Sequence, residues 1–248
     1  MRLRSKEYPI ISEERLPRKA ASLHIAVFCD FFLIFCFFKC NSYFCNITKT
    51  QHYKKLNDKS MAEQVVSMIE EMRENGESMR LWKNVELSVK CIERLNAIDD
   101  ASELEKALVC STILDLIPKY DVPRYSLSIL HRQKEWLENA GEEAEYLTME
   151  SIGEEIEELE DYIDYGRMSN EEFMGKYSKF LKFDPICRTE MWEENYCRWE
   201  QECDRRLGDT PRGMGFCFEY WSTFAAVLAE EGVEWKSPSQ MNPRVMFD

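Results

Sequence analysis

Apolar residues recur at intervals of three and four positions from residue 62 to about residue 232, and this spacing restricts most of the chain to amphipathic α-helices. The clearest stripe comprises Trp82, Val85, Val89, Ile92 and Leu95. Further stripes of the same period follow, separated by Gly, Pro and polar capping residues. The pattern predicts an all-α fold, either a helical bundle or an irregular domain of about seven or eight helices.

Capping and breaking residues predict where these helices begin and end. Asp100 with Glu103, and Ser169 with Glu172, have the spacing of a capping box. Pro123 suits the first turn of a helix, where its missing N–H costs no hydrogen bond. Glycines follow three of the predicted helices, at Gly141, Gly208 and Gly232. We therefore expect separate helices joined by short connections.

The C-terminal block, residues 212–248, is dense in aromatic residues, Gly and Pro. A last helix is predicted over 216–231, although its opening, 216–221, also has the aromatic composition of a β-strand. Beyond it, Pro238 and Pro243 prevent the tail from being helical throughout. We expect a non-helical, Pro-containing tail whose apolar residues dock on the body or on a partner.

The composition changes at Met61. Residues 1–60 are basic, with 11 Lys and Arg against 5 Asp and Glu, and they contain neither Gly nor Trp. The other 188 residues carry a net charge of -20 and hold all nine Gly and all six Trp. Residues typical of A/T-rich codons dominate 28–59, so we interpret residues 1–60 as upstream sequence read from a mis-assigned start codon. Residues 61–248 would then form one acidic helical domain.

An alternative for the N-terminal segment is a single transmembrane anchor at 20–38. This stretch of 19 residues could just span a bilayer, and the basic Arg18 and Lys19 precede it. Asp30 at its centre would cost about 2.5–3.5 kcal/mol on insertion. The two interpretations predict different locations: the cytoplasm if residues 1–60 are not part of the native protein, and a membrane-anchored protein if 20–38 is inserted.

The excess of acid limits the classes of partner. Direct binding to nucleic-acid phosphates needs clustered Lys and Arg, and an anionic membrane surface repels a domain of this charge. Eleven acids and no Lys or Arg lie in 142–164, which predicts either a solvated helix face or an acidic mimic of nucleic acid. The spacing of acids and cysteines matches neither a calcium loop nor a zinc site, so we expect no metal and no cofactor.

Four residues are weak candidates for catalysis. Cys217 follows a Gly-x-Gly turn at a predicted helix start, where a thiol is activated, but it needs a base, and His131 is the only His after Met61. Glu219 and Glu234 would instead suit a metal–carboxylate site near the C-terminal block. Neither set has the close spacing of a catalytic motif, so the sequence favours a protein that is not an enzyme.

The C-terminal block offers the best candidate for a contact surface. Trp221, Trp235, Met241 and Phe247 are the predicted binding residues, because aromatic and Met side chains are enriched in protein contacts. The same residues would also suit the protein's own core. The sequence therefore predicts a protein–protein interaction module with an unknown protein partner, and an enzyme with a thiol or metal–carboxylate site is the alternative.

Overall fold

The computed structural model describes residues 60–98, 101–141 and 146–247, and all regular structure in these ranges is helical. The helices are α1 Ser60–Glu77, α2 Trp82–Asn96, α3 Glu103–Leu116, α4 Pro123–Ala140, α5 Tyr146–Ile163, α6 Asn170–Lys176, a 3-10 helix Pro185–Arg188, α7 Glu190–Leu207, α8 Phe216–Glu230 and α9 Pro238–Met241. The predicted all-α class is confirmed. Helices α1 to α8 lie where the apolar stripes predict them, and α9 is a single turn within the tail.

Most of the N-terminal segment lies outside the described residues, which begin at Ser60. The predicted upstream sequence and the alternative anchor at 20–38 fall in that part of the chain. Among the residues that the structure describes, no helix is both long enough and apolar enough to cross a bilayer. The interpretation of Met61 as the native start stays a prediction.

Polar side chains cap the starts of some helices, among them α3 and α6, whereas α2, α4 and α8 have no side-chain cap. At α3 the predicted cap was wrong by two residues, because the N-cap is Ser102 and not Asp100. The Ser102 hydroxyl accepts from the backbone N–H of Glu105 at 3.2 Å, and the Glu105 carboxylate accepts from the backbone N–H of Ser102 at 2.9 Å. Ser169 and Glu172 form the capping box predicted for α6, which is a short helix of 7 residues.

The aromatic residues at the start of α8 are helical, so the strand alternative for 216–221 was wrong. Gly215, with a φ of 80°, provides the left-handed turn that begins the helix. Phe216, Tyr220 and Phe224 are four residues apart and form one stripe, in which the rings of Tyr220 and Phe224 stack at 5.7 Å. The aromatic composition of this segment therefore reflects helix packing.

The helices form an irregular bundle around one core. Helix α4 packs between α3 and α5, α1 packs on α2 and α3, and α7 packs on α2, on the 3-10 helix and on α8. The aromatic centre of the core is Trp192, whose ring centroid lies 5.7 Å from that of Trp199 and 5.8 Å from that of Phe224. Among the contacts between helices, α5 packs mainly on α4, and α8 packs mainly on α7.

A buried arginine joins the end of α5 to the segment that follows it. Arg188 is 0% exposed and donates to the backbone oxygens of Tyr162 at 2.7 Å and Asp161 at 2.9 Å, and to Asn170 Oδ1 at 2.8 Å. Both backbone oxygens belong to the last turn of α5, which lacks helical partners for its carbonyl groups. The positive charge also complements the helix dipole there. Arg188 thus fixes the end of the acidic helix.

Candidate functional site

Apolar side chains remain exposed where the end of the chain meets the start of α8. Met214 and Met246 are 92% and 93% exposed, and Phe218 is 48% exposed. We define the C-terminal apolar patch by five residues: Met214, Phe218, Val245, Met246 and Phe247. Contiguous exposed apolar surface is typical of protein contact sites, whereas isolated exposed apolar residues are common everywhere.

Buried Trp221 connects the two parts of the patch. The ring centroid of Phe247 lies 5.1 Å from that of Trp221, and the centroid of Phe218 lies 5.6 Å from it, both in edge-to-face geometry. Met214 lies in the turn four residues before Phe218, and Met246 directly precedes Phe247. The tail and the start of α8 are therefore joined through one indole ring.

Hydrogen bonds outside the patch hold the tail in place. The side chain of Asn242 accepts from the backbone N–H of Lys182 at 2.8 Å and donates to its carbonyl oxygen at 2.7 Å. It also donates to the carbonyl oxygen of Pro238 at 2.9 Å. Asp184 accepts from the backbone N–H of Lys236 at 2.8 Å. These bonds fix the backbone around α9, which lowers the entropic cost of presenting the patch to a partner.

A second network fastens the loop before α8. Arg212 donates to the carbonyl oxygen of Met79 at 3.0 Å and pairs with Asp204, and its guanidinium lies 5.1 Å from the ring centroid of Phe216. Arg80 Nε donates to both carboxylate oxygens of Asp204, at 2.9 Å and 3.0 Å. The loop that carries Met214 is therefore anchored to α7 and to the turn between α1 and α2.

The four predicted binding residues occupy different environments. Trp235 is half-buried and packs on the core, with its ring centroid 5.3 Å from that of Phe224. Met241 is half-buried in α9, and Trp221 is buried beneath the patch. Phe247 alone among the four is part of the patch itself. A binding role for these residues stays a prediction, and for Trp235 the observed contacts are those of a core residue.

The four exposed residues of the patch were not among the predicted binding residues; they are Met214, Phe218, Val245 and Met246. For Phe218 a signal was present, because it lies two positions after Phe216 and so falls outside the buried stripe of α8. Met214, Val245 and Met246 lie outside any helix and carry no periodic signal. Their exposure depends on how the tail folds back, which local sequence does not specify.

The two members of each proposed catalytic pair lie on different elements. Cys217 is half-buried in the first turn of α8, whereas His131 is exposed on α4, which packs between α3 and α5. Glu219 and Glu234 are exposed, and Glu219 accepts from the Thr210 hydroxyl at 3.4 Å. In the described ranges, no group of three or more His, Cys, Asp or Glu side chains is placed to hold a metal ion.

Two carboxyl groups that the sequence did not single out contact the core: Glu200 is buried, and Asp121 is half-buried. Glu200 accepts from the Tyr220 hydroxyl, and burial raises the pKa of Glu200 to about 8. Asp121 accepts from Trp192 Nε1 at 3.1 Å, and burial raises the pKa of Asp121 to about 7. Raised values of this kind also occur in catalytic acids. Neither group, however, lines either of two cavities in the described part of the chain, and each accepts a hydrogen bond from an aromatic side chain, as packed acids do.

The larger of these cavities is an open groove of about 740 Å³ between α2, α7 and α8. Its charged residues pair with one another: Arg198 with Glu231, and Arg206 with Glu202 at 2.7 Å and with Glu230 at 2.6 Å. Because positive and negative side chains alternate and are already paired, the groove has no preference for one ligand charge.

The acidic side of α5 is paired with lysines from outside the helix. The pairs are Lys119–Glu155, Lys176–Glu157, Lys176–Asp161 and Lys179–Glu158, at 3.1, 2.6, 2.6 and 2.7 Å between charged atoms. Glu154 and Glu160 are exposed on the same helix. The pairing reduces the open negative charge that a nucleic-acid mimic would present.

The C-terminal apolar patch is therefore the feature of this surface that packing and ion pairing leave most open. The members of each proposed catalytic pair lie on different elements, Glu200 and Asp121 are hydrogen-bonded to core residues, and much of the acidic side of α5 is paired. No protein family model, curated protein or solved structure matches the chain.

Proposed function

We propose that this protein is a non-enzymatic interaction module that binds a partner protein through the C-terminal apolar patch. The observation that carries the proposal is the near-complete exposure of Met214 and Met246, in the two segments whose rings Phe218 and Phe247 both contact Trp221. Met side chains are flexible and polarisable and adapt to apolar partners, while aromatic rings provide large contact area. Because the tail is already fixed by the Asn242 hydrogen bonds, binding orders little additional backbone.

Charge narrows the class of partner. Residues 61–248 carry a net charge of -20, and the exposed Glu219 lies next to Phe218 in the sequence of α8. A domain of this charge attracts basic partners and repels acidic ones. The partner that fits both the charge and the apolar patch is a basic amphipathic helix, which places its apolar side chains on the patch and its Lys and Arg toward the acidic surface.

We also infer a cytoplasmic location. The six cysteines within the described ranges are free thiols, and Cys91, Cys110 and Cys203 are buried. Burial raises the pKa of Cys91 to about 12, which keeps that thiol protonated and unreactive. Free thiols in this number are typical of a reducing compartment.

The alternative functions have weaker support. A thiol enzyme needs Cys217 and a base in contact, but His131 is exposed on a different helix. A metal–carboxylate enzyme needs Glu219 and Glu234 to share a site with further ligands. An acidic mimic of nucleic acid needs open carboxylates, and four carboxylates of α5 already bind lysines.

The first test compares two double variants of the full chain in affinity purification from the native source. Replacing Phe218 and Met246 by Asp puts charge into the apolar contact, and we expect recovery of the partner to fall at least about tenfold. The matched control replaces Val89 and Leu108, exposed apolar residues of α2 and α3, by Asp. Equal recovery of the same partners by both folded variants would contradict the proposal.

The second test measures contact directly. The methyl groups of Met214 and Met246 are observed by NMR while a synthetic basic amphipathic helix is added, and an acidic peptide of the same apolar sequence is the control. We expect the basic peptide alone to shift both methyl signals. Substitutions are preferable to removal of residues 233–248, because that deletion would also take Trp235 out of the core.

A further inference from the structure

Two methionine side chains of the C-terminal apolar patch are open to solvent. Among the methionines whose side chains the structure describes, three are exposed: Met214 and Met246 almost completely, and Met191 of α7 to 38%. By contrast, Met72 is buried in the core and Met241 of α9 is half-buried. The most exposed sulfur-containing side chains of the described ranges therefore belong to the surface that we propose as the contact site.

An exposed methionine is chemically suited to reversible oxidation. Its sulfur donates an electron pair to one oxygen of hydrogen peroxide, so that an S–O bond forms and the O–O bond breaks. The proton of the transferred hydroxyl group passes to the departing hydroxide, which leaves as water. The sulfur is oxidised by two electrons to a sulfoxide, and the peroxide is reduced. Because the sulfur needs no prior ionisation, solvent access decides which methionines react.

The described thiols compete poorly for the same oxidant, because the reactive form of cysteine is the thiolate. Burial raises the pKa of five of the six above its ordinary value of 9.0; they are Cys91, Cys110, Cys187, Cys197 and Cys203. These thiols therefore stay protonated at neutral pH. The sixth, Cys217, is half-buried in the first turn of α8 and requires a control variant.

A sulfoxide would change the patch without disturbing the fold. The S–O group is strongly polar and accepts hydrogen bonds, so its burial under an apolar partner without a donor is unfavourable. Met214 and Met246 contribute little to the core, because their side chains stay almost fully exposed. Oxidation at these positions therefore alters the surface presented to a partner and leaves the packing beneath it intact.

We propose that Met214 and Met246 form a reversible oxidation site through which hydrogen peroxide switches off partner binding at the C-terminal apolar patch. This inference rests on the function proposed above for the patch. Thiol-dependent methionine sulfoxide reductases restore the apolar side chains. In that reaction two thiols are oxidised to a disulfide, and the sulfoxide oxygen leaves as water.

The first measurement concerns selectivity. The folded full chain is treated with hydrogen peroxide, and each methionine is followed by peptide mass spectrometry. We expect Met214 and Met246 to be oxidised first and Met191 more slowly. Met72 should react at least about tenfold more slowly than the patch residues, because a buried sulfur is reached only when the structure opens. The control is the chain unfolded in urea, in which Met72 and Met214 should react at similar rates.

The second measurement concerns binding. The synthetic basic amphipathic helix is titrated into the untreated chain, the oxidised chain, and the oxidised chain after treatment with reductases for both sulfoxide epimers. We expect oxidation to weaken binding at least about tenfold, and reduction to restore it. The melting temperature should be unchanged by oxidation, which shows that the weaker binding does not come from unfolding.

Variants assign the effect to the two methionines. Leu is apolar and close to Met in size but forms no sulfoxide, so the double variant Met214→Leu with Met246→Leu should bind the peptide both before and after peroxide. The matched control, Met191→Leu, changes an exposed methionine outside the patch and should lose binding on oxidation as the wild type does. Cys217→Ala should lose it as well, which excludes the thiol of α8 as the switch.

Four results would overturn the proposal. Met72 reacts as fast as Met214 in the folded chain, or the oxidised chain binds the peptide as tightly as the untreated chain. The double Leu variant loses binding on oxidation, or Cys217→Ala protects against it, and either result places the switch elsewhere. A failure of the proposed function is distinguishable, because the untreated chain would then not bind the peptide at all, and the switch would fail with it.

Discussion

Helices α5 and α8 carry the two most conspicuous compositional signals of the chain, a run of acids and a cluster of aromatic residues. In the folded structure the acids are paired with lysines, whereas part of the aromatic cluster stays exposed. The carboxylates of α5 accept hydrogen bonds from Lys119, Lys176 and Lys179, which come from the connection before α4 and the segment around the end of α6. The aromatic start of α8 buries Trp221 but leaves Phe218 half exposed beside Met214. The carboxylates of α5 therefore find partners within the molecule, whereas the apolar side chains at the start of α8 are only partly covered.

This difference shows why a strong sequence signal does not by itself indicate a functional surface. A row of acids lowers its own repulsion by pairing with lysines from other segments, so its composition alone does not indicate a binding surface. Exposed apolar side chains cannot be paired in this way once the core is full. Their contact with water stays unfavourable until another surface covers them. Surface that stays uncovered after folding is therefore a better indication of function than composition is.

The largest expected effect separates the core residues of the C-terminal block from its patch residues. Trp235→Ala removes a ring that packs on Phe224 and Trp192, and we expect a loss of about 3 kcal/mol of unfolding free energy, at the lower end for Trp because Trp235 is half-buried. Phe247→Ala should cost less than about 1 kcal/mol, since it contacts Trp221 from the surface. Urea denaturation measures both.

The opposite ranking would change the comparison. If Phe247→Ala were the more destabilising of the two, the patch would be part of the fold, and its exposure would no longer indicate a partner. The predicted ranking would instead leave Phe247 and its neighbours free for binding, and would assign Trp235, which the sequence placed in the contact surface, to the core.

The second effect concerns the buried side of α8, where the Tyr220 hydroxyl donates to Glu200. Burial raises the pKa of Glu200 from its ordinary value of 4.5 to about 8, so between these values the folded chain binds more protons than the unfolded chain. The contribution to stability is complete below about pH 4.5 and is lost as the pH rises toward 8, by an amount on the order of 4 kcal/mol. Urea denaturation at several pH values measures this loss.

Substitution of Glu200 tests the assignment. Glu200→Gln should flatten the decline in stability between pH 5 and 8, with a smaller decline left by Asp121, whose pKa burial raises to about 7. The control is Glu202→Gln on the same helix, because hydrogen bonds from Arg205 and Arg206 lower the pKa of Glu202 to about 2. That carboxylate is already ionised throughout this range, so the control should keep the slope of the wild type. A Glu200→Gln variant with an unchanged slope would contradict the prediction.

The fold was predictable from sequence because its signals are local. Helical period predicts α2 from the stripe between Trp82 and Leu95, and backbone chemistry places Pro123 in the first turn of α4. The stripe does not give the buried face of α2, which consists of Asn84, Ser88, Cys91 and Leu95, whereas Val89 is 40% exposed. The cap at α3 was predicted at the wrong residue because two polar residues within three positions both suit an N-cap, and Ser102 is the one whose hydroxyl meets the N–H of Glu105.

The candidate sites were much less predictable because they depend on long-range packing. Glu200 has the spacing of a core residue, four positions after Tyr196 and three before Cys203, but an acid at such a position is read as a surface residue. Its Tyr220 partner comes from another helix. Sequence identifies such residues only when the contacts between helices are known.

The smallest effect tests whether the lysines neutralise the acidic side of α5. Lys179→Gln removes a partly buried cation that lies 2.7 Å from Glu158 and donates to the Tyr120 hydroxyl at 2.9 Å, and we expect a loss of about 1 kcal/mol of unfolding free energy. The matched control, Lys182→Gln, changes an exposed side chain and should have little effect. Urea is the suitable denaturant, because guanidinium chloride is a salt and would itself screen the charges.

The dependence on salt completes this test. The destabilisation by Lys179→Gln should shrink as sodium chloride is raised, because the carboxylates that lose their cation repel one another less when they are screened. Met246→Gln, in the C-terminal apolar patch, should change the unfolding free energy by less than about 0.5 kcal/mol at any salt concentration, because that side chain is 93% exposed. A Lys179→Gln variant as stable as the wild type at low salt would mean that the pairs contribute nothing. The carboxylates of α5 would then be as available to an external partner as the methionines of the patch, and the contrast between the two helices would disappear.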